Sequence, residues 1–482
     1  MKKLKSKLVA LLMLATLPMA STAFAEGGVE VMHLGVNNTM VRVTGTAKYL
    51  LIPVQESAEE ARVKVLVDGE PAKNLNIRLA MNRVDYLVPF LLTPYEGHRV
   101  LLNIVTTQGR STLREVKDDA CWKEMKLSDT FDTANREQYR PAFHHTPLYG
   151  WMNDPNGMFF KDGTWHLYYQ YNPYGSKWQN MSWGHSTSKD LIAWEHQPVA
   201  LEVDGLGHVF SGSSVVDSAG TAGFGKDAIV ALYTSCDASQ YQSMAYSTDG
   251  GTTFRRSPGN PILTLESEAR DPNMFWDDKA GQWVLTLAHA LDHESLFFTS
   301  PDLKVWTLQS AFGKGEGAQD GVWECPDLFK LKVEGTDEEK WVLICNLNPG
   351  GPFGGSATQY FIGDFDGKTF TSDTDASGRI PTKWMDFGKH HYATVSWSGT
   401  PQNRRTVIGW MSNWQYAAEV PTTQYRSANT LPRDLSLFRA PDGEIYLASA
   451  PAAELTALRG TLACKAKKAT AGKKPRVFEL PA

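Results

Sequence analysis

Cysteine is scarce in this chain: five in 482 residues, at Cys121, Cys236, Cys325, Cys345 and Cys464. They are scattered, odd in number and not at metal-ligand spacing, which excludes a disulfide framework and leaves mostly buried thiols as the expectation. Long hydrophobic runs are also lacking. The one marked run, residues 8–15, follows Lys2, Lys3, Lys5 and Lys7 and leads to Ala23-Phe24-Ala25. It is too short to cross a bilayer, so residues 1–25 read as a signal peptide, with no cysteine behind it for a lipid anchor. The expected address is export, to a periplasm or to the medium, without membrane insertion. Charge of one sign is lacking as well. A net charge of -5 with no basic stripe argues against nucleic acid or an anionic membrane surface as partner and suits a neutral substrate.

What the chain has is short alternating runs. Length allows two to three domains, and 42% hydrophobic with 21% charged residues supplies a sizeable core. Residues 26–125 alternate apolar and polar over 39–43, 62–67 and 99–105, broken by turns such as Asp68-Gly69. This is the pattern of a small β-sandwich; Tyr49, Tyr86 and Phe90, at strand spacing, are expected in its core. A polar link over residues 118–140 leads into a weak repeat. Its markers are Asp190, Asp249, Asp302 and Asp366, which step by 59, 53 and 64 residues. Each sits in a turn that runs on to an aromatic, flanked by strand-like runs such as 165–171, 283–288 and 340–345. Radial repetition of four-stranded sheets gives such a pattern, and three hundred residues at about sixty each make about five blades.

Three carboxylates stand beside prolines in aromatic-rich surroundings. Asp154 lies in Trp151-Met152-Asn153-Asp154-Pro155-Asn156-Gly157, where Pro155 fixes its own φ and Gly157 tolerates left-handed φ, so a tight turn is expected to aim the carboxylate. Asp271 follows Glu268-Ala269-Arg270 and precedes Pro272-Asn273. Glu324 lies in Val322-Trp323-Glu324-Cys325-Pro326-Asp327. Taken singly these are an Asx turn, a surface ion pair and a solvated loop acid. Taken together they fit glycoside hydrolysis, which needs one carboxylate at the anomeric carbon and one protonated carboxyl at the leaving oxygen.

The motifs resemble glycoside hydrolase family 32, the invertases, levanases and inulinases. They are His144-His145-Thr146-Pro147 running into Gly150 to Gly157, Trp183-Gly184-His185, Phe210-Ser211-Gly212-Ser213, Arg270-Asp271-Pro272 and Glu324-Cys325-Pro326-Asp327, in register over residues 137–440. The resemblance implies an all-β chain: a five-bladed β-propeller catalytic domain at 126–440, here preceded by the small β-sandwich at 26–125. The family's carboxyl-terminal β-sandwich is expected to be absent or only begun in 441–482, after a short helical connector at 452–458 and the lysine-rich stretch 465–474. The implied roles are Asp154 as nucleophile, Glu324 as acid/base and Asp271 as transition-state stabiliser. Asn153, Gln170, Trp178, Phe210, Ser211, Arg270, Tyr392 and Trp414 are implied in fructose binding. No metal or cofactor is implied, and His144, His145 and His185 show no ligand spacing. Family members commonly carry an Asp two residues before the Tyr-Ala pair, where this chain has His390.

Trp183 is a further candidate for the apolar wall of the sugar pocket. Trp323, Cys325 and Pro326 are expected to give Glu324 the apolar setting that keeps a carboxyl protonated, and Arg270 is expected to keep Asp271 charged. The implied substrates are terminal β-fructofuranosides of levan, inulin or sucrose. Alternatives are a fructosyltransferase, an inverting arabinan- or xylan-degrading enzyme on the same fold, and a propeller that only binds sugar.

Overall fold

Two sheets formed by the alternating runs of the amino-terminal hundred residues open the chain, in a computed structural model that describes residues 23–25, 28–107, 111–134, 137–265, 267–375 and 377–460. The larger sheet has the order Ala23–Ala25, Val29–Gly35, Asn38–Val43, Val100–Val105, Ala61–Val67, Glu70–Ile77. The smaller has Tyr49–Val54 between Tyr86–Leu91 and Lys126–Ser128. Strand Ala61–Val67 buries Ala61, Val63 and Val65 and exposes Arg62 and Lys64, the side-chain period of two that sets one face on a core. Phe90 and Tyr86 lie in that core, as expected, whereas Tyr49 is half-buried outside it, edge to face with Phe131. The link after residue 118 is not simply polar. Leu113–Asp118 and Ala120–Glu124 are short helices, too short to show a periodic signature, and Cys121, Trp122 and Met125 bury in the sandwich core.

Five antiparallel sheets follow, and their first strands are Gly150–Lys161, His208–Asp217, Ala269–Asp277, Val322–Lys332 and Tyr392–Ser396. Each first strand packs against the next and the fifth against the first, so the ring closes as a five-bladed propeller, which leaves no long open edge. The closure is reinforced by Tyr425–Arg426, which pairs parallel to Gly150 and Trp151. The repeat seen in the sequence is the turn between the third and fourth strands of a blade. Asp190, Asp302 and Asp366 each accept two backbone N–H groups from the residues two and three ahead, and Asp249 accepts from Thr253 N. These are Asx turns.

The fifth blade extends past residue 440, because its outer strand is Ile445–Pro451. That strand is mostly half-buried or exposed, so its alternation is weak in the sequence. The connector expected at 452–458 is a 3₁₀ turn, Ala453–Leu458. Most of the expected leader, and residues 461–482 with the lysine-rich stretch and Cys464, lie outside the described residues.

Candidate active site

Every blade carries a β-bulge on its first strand at an equivalent place. The register slips between Met152 and Pro155, Val209 and Gly212, Arg270 and Asn273, Glu324 and Asp327, and Tyr392 and Val395. The residues in or beside these slips are Asn153 and Asp154, Phe210 and Ser211, Asp271, Glu324 and Cys325, and Tyr392. A bulge bends a strand and re-aims a side chain, and five of them around a ring turn these groups towards one place. Asp154 therefore sits within a twelve-residue strand and not in the tight turn expected from its sequence. Pro155 and Gly157, at φ +57°, deform the ladder without ending it. Asp271 and Cys325 are themselves held at φ +64° and +45°, backbone strain of a kind that collects at functional sites.

A cavity of about 400 Å³ opens there, lined by Asn153, Asp154, Gln170, Trp178, Phe210 and Ser211, and further by Arg270, Asp271, Glu324 and Trp414. Asp154 is fixed from two sides: Asn153 Nδ2 donates to Oδ1 and Ser211 Oγ to Oδ2, each at 2.9 Å. Asn153 is in turn held by Trp151 Nε1 at 2.8 Å, and Trp151 stacks on Trp414. Gln170 Nε2 donates to the Val209 carbonyl, which ties the first blade to the second. Trp178 and Phe210 meet edge to face at 6.1 Å. Tyr392, expected among the fructose-binding residues, is fully buried and does not line the cavity; its hydroxyl donates to Glu324 Oε2.

The charges are arranged differently from expectation. Arg270 Nε donates to Glu324 Oε1 and Nη1 to Glu268, both at 3.0 Å, so its partners are the glutamates. Asp271 Oδ2 instead accepts Cys325 N at 2.9 Å. Burial, then the neighbouring charge of Glu324, pushes Asp271 well above the usual carboxylate range against the pull of Arg270. The same two causes push Asp154 up to about 6, opposed by its bonds from Asn153 and Ser211. The Cys325 thiol lies 3.5 Å from Asp271 Oδ2 and 3.7 Å from Asp154 Oδ2, and burial and these carboxylates push it well up. A neutral thiol bridging two carboxylates donates weakly and stays inert.

Two aromatic expectations are corrected. Trp323 faces the other side of its strand, packs on Phe361 and gives its indole N–H to Ala318, so it supplies no apolar setting for Glu324; strand alternation sends neighbours to opposite faces. Trp183 is fully buried over Gly157, where a Cβ would collide with its ring, and donates to the Phe210 carbonyl. His390 bonds Tyr416 at a separate surface. Glu268, Gln240 and Asn348 also line the cavity and were missed. Glu268, two residues before Arg270, shares its face by strand period, a signal that could have found it; nothing in the sequence marks Gln240 or Asn348.

A five-bladed propeller that brings three carboxylates, Asp271 buried and Asp154 and Glu324 half-buried, to one polar pocket has the arrangement that glycoside cleavage requires. Residues 144–451 match the Glycosyl hydrolases family 32 N-terminal domain, and the chain belongs to that family. Residues 35–143 match a Domain of unknown function (DUF4980). A levanase of Bacillus subtilis is 47% identical over 334 residues, covering 67% of this chain and 48% of the relative. An extracellular exo-inulinase of Aspergillus niger is 45% identical over 336 residues, 62% of each. The crystal structure of an exo-inulinase from Aspergillus awamori superposes with a TM-score of 0.63 at 41% identity, over 66% of this chain and 68% of that one. The chain thus spans about half the length of the levanase and less than two thirds of the Aspergillus niger enzyme.

Proposed function

We propose that the chain is an exported, retaining hydrolase that releases fructose from terminal β-D-fructofuranosyl units of levan or inulin, and of sucrose. The observation that carries this is the convergence of Asp154, Asp271 and Glu324, from three blades, on one pocket large enough to hold a sugar ring. The names of the relatives, levanase, exo-inulinase and invertase, support fructosides as the substrate class. The extracellular naming of several supports export.

Asp154 attacks the anomeric carbon, and its two hydrogen bonds hold it at the angle of approach. As the bond to the leaving oxygen breaks, Glu324 delivers a proton to that oxygen. Four carboxyls, Asp154, Glu268, Asp271 and Glu324, share one guanidinium here, so a proton retained in the cluster relieves repulsion, and the Tyr392 hydroxyl and Arg270 orient Glu324. Asp271 accepts hydroxyls of the fructosyl ring as positive charge builds at carbon. In the second step Glu324 takes a proton from water, the water oxygen bonds to the anomeric carbon, and Asp154 leaves.

Chromatography of products from levan, inulin, sucrose and arabinan tests the substrate; fructose is expected, and arabinose alone would overturn the reading. In methanol-containing buffer the first product is expected to be the methyl β-fructofuranoside by NMR. The α-anomer appearing first would take Asp154 out of the nucleophile role and favour the inverting enzymes of this fold.

A further inference from the structure

A second cavity, about 410 Å³ and so as large as the catalytic one, lies between the amino-terminal sandwich and the propeller. One wall is a platform on the outward face of the larger sheet. Register places Asn76, Arg62 and Val105 in one row across three strands and Asn74, Lys64 and Asn103 in the next, and all six line the cavity. The opposite wall is the propeller segment from Val203 to His208, with Asp237.

The two cavities share partitions. His208 lines the outer one and stacks beside Trp178 and Phe210, which line the catalytic one, at 5.7 and 6.0 Å. The hairpin that pairs Cys236 with Gln240 carries Asp237 into the outer cavity and Gln240 into the inner. The walls are also fixed to each other. Lys73 pairs with Glu202, and Asn76 and Asn180 exchange two hydrogen bonds at 2.8 Å. The cleft is therefore a rigid extension of the active-site rim.

Its chemistry selects the ligand. Arg62 and Lys64 face Asp204 and Asp237, so a strongly anionic or cationic ligand meets like charge on one wall. Amides and both signs of charge offer donors and acceptors to a neutral, hydroxyl-rich chain. Asn103, beside Lys64 in the second row, adds a further amide to this platform.

We infer that this interdomain cleft is a second carbohydrate subsite, which holds further units of the polymer whose terminal residue occupies the catalytic pocket. It rests on the catalytic reading above and gives the amino-terminal sandwich a role in choosing polymer over short substrates. The test compares kcat/KM on levan and inulin with kcat/KM on a fructan trisaccharide, for Arg62→Ala with Asn103→Ala and, separately, for the cleft-filling Asn74→Trp. The polymer-to-trisaccharide ratio is expected to fall about tenfold in both, mostly through KM, as loss of one or two hydrogen bonds implies. In native gels cast with levan, the full chain carrying Glu324→Gln is expected to be retarded, and to lose retardation when the cleft changes are added. An unchanged ratio with retained retardation would overturn the subsite alone. No fructose from any fructan with the unaltered chain would overturn the catalytic reading instead.

Discussion

At the scale of single residues, the site is a problem in placing negative charge. In the proposed mechanism Asp154 must be ionised to attack, yet burial and Glu324 raise it to about 6. The acid limb of kcat/KM, which reports the free enzyme, is therefore expected near pH 6, where an ordinary aspartate would place it near 4. The same shift has a stability sign. Between about pH 4, where Asp154 titrates in the unfolded chain, and about pH 6 the folded chain binds more protons, so stability falls as pH rises through that window. Asp154→Asn removes this penalty. It should abolish turnover and stabilise the fold by roughly 2–3 kcal/mol above pH 7, with little difference below pH 4; denaturant titrations at the two pH values check it. Glu324→Ala should slow natural fructans by about 10²- to 10⁴-fold while sparing a fructoside whose leaving group needs no proton. Equal loss on both substrates, with folding intact, would move the acid role elsewhere.

At the scale of elements, the bulged inner strand is the device that makes the site. The second blade shows how little freedom it has. A Cβ on Gly212 would collide with the Leu232 carbonyl oxygen and the Tyr233 backbone of the neighbouring strand, directly beside the bulge that carries Ser211 to Asp154. Gly212→Ala has no flexible side chain to push aside. It is expected to destabilise by about 2 kcal/mol or more and to lower kcat through the lost support of Asp154. Thermal melts alongside kinetics on sucrose check this, and a variant with unaltered melting temperature and kcat would refute it.

At the scale of the whole molecule, the sandwich and the propeller are joined by packing as well as polar contacts. Tyr174 and Val203, from the propeller, belong to the same buried cluster as Val63, Leu75 and Phe90. Tyr86 donates to Glu56, and Ser176 N donates to both of them, at 2.8 and 3.0 Å. Glu202→Ala would leave Lys73 with its side chain only 10% exposed and no counter-charge, a change that typically costs about 3–5 kcal/mol. The expected result is a lower melting temperature for one cooperative transition covering both parts; two separate transitions in the unaltered chain would refute the coupling.

The sequence by itself determined the all-β class and the blade repeat and singled out the three acids that meet in one pocket, because the signals for these are local. Period-2 alternation, Asx turns at Asp190, Asp249, Asp302 and Asp366, and prolines beside acids are properties of neighbours along the chain. Asp154-Pro155-Asn156-Gly157 nevertheless read as a turn, since the same residues favour a turn and a bulge, and only pairing with Thr164–Asn172 decides between them. The strand Ile445–Pro451 was illegible because its weak burial leaves little alternation. Which acid Arg270 serves, that Trp323 turns away from Glu324, and that Cys325 bridges Asp154 and Asp271 were decided by tertiary structure alone. Charge pairing acts through space across blades, and residues 54 and 171 positions apart meet only when the ring closes. The interdomain cleft belongs to the same category: its two walls are far apart in sequence, and neither forms a cavity without the other.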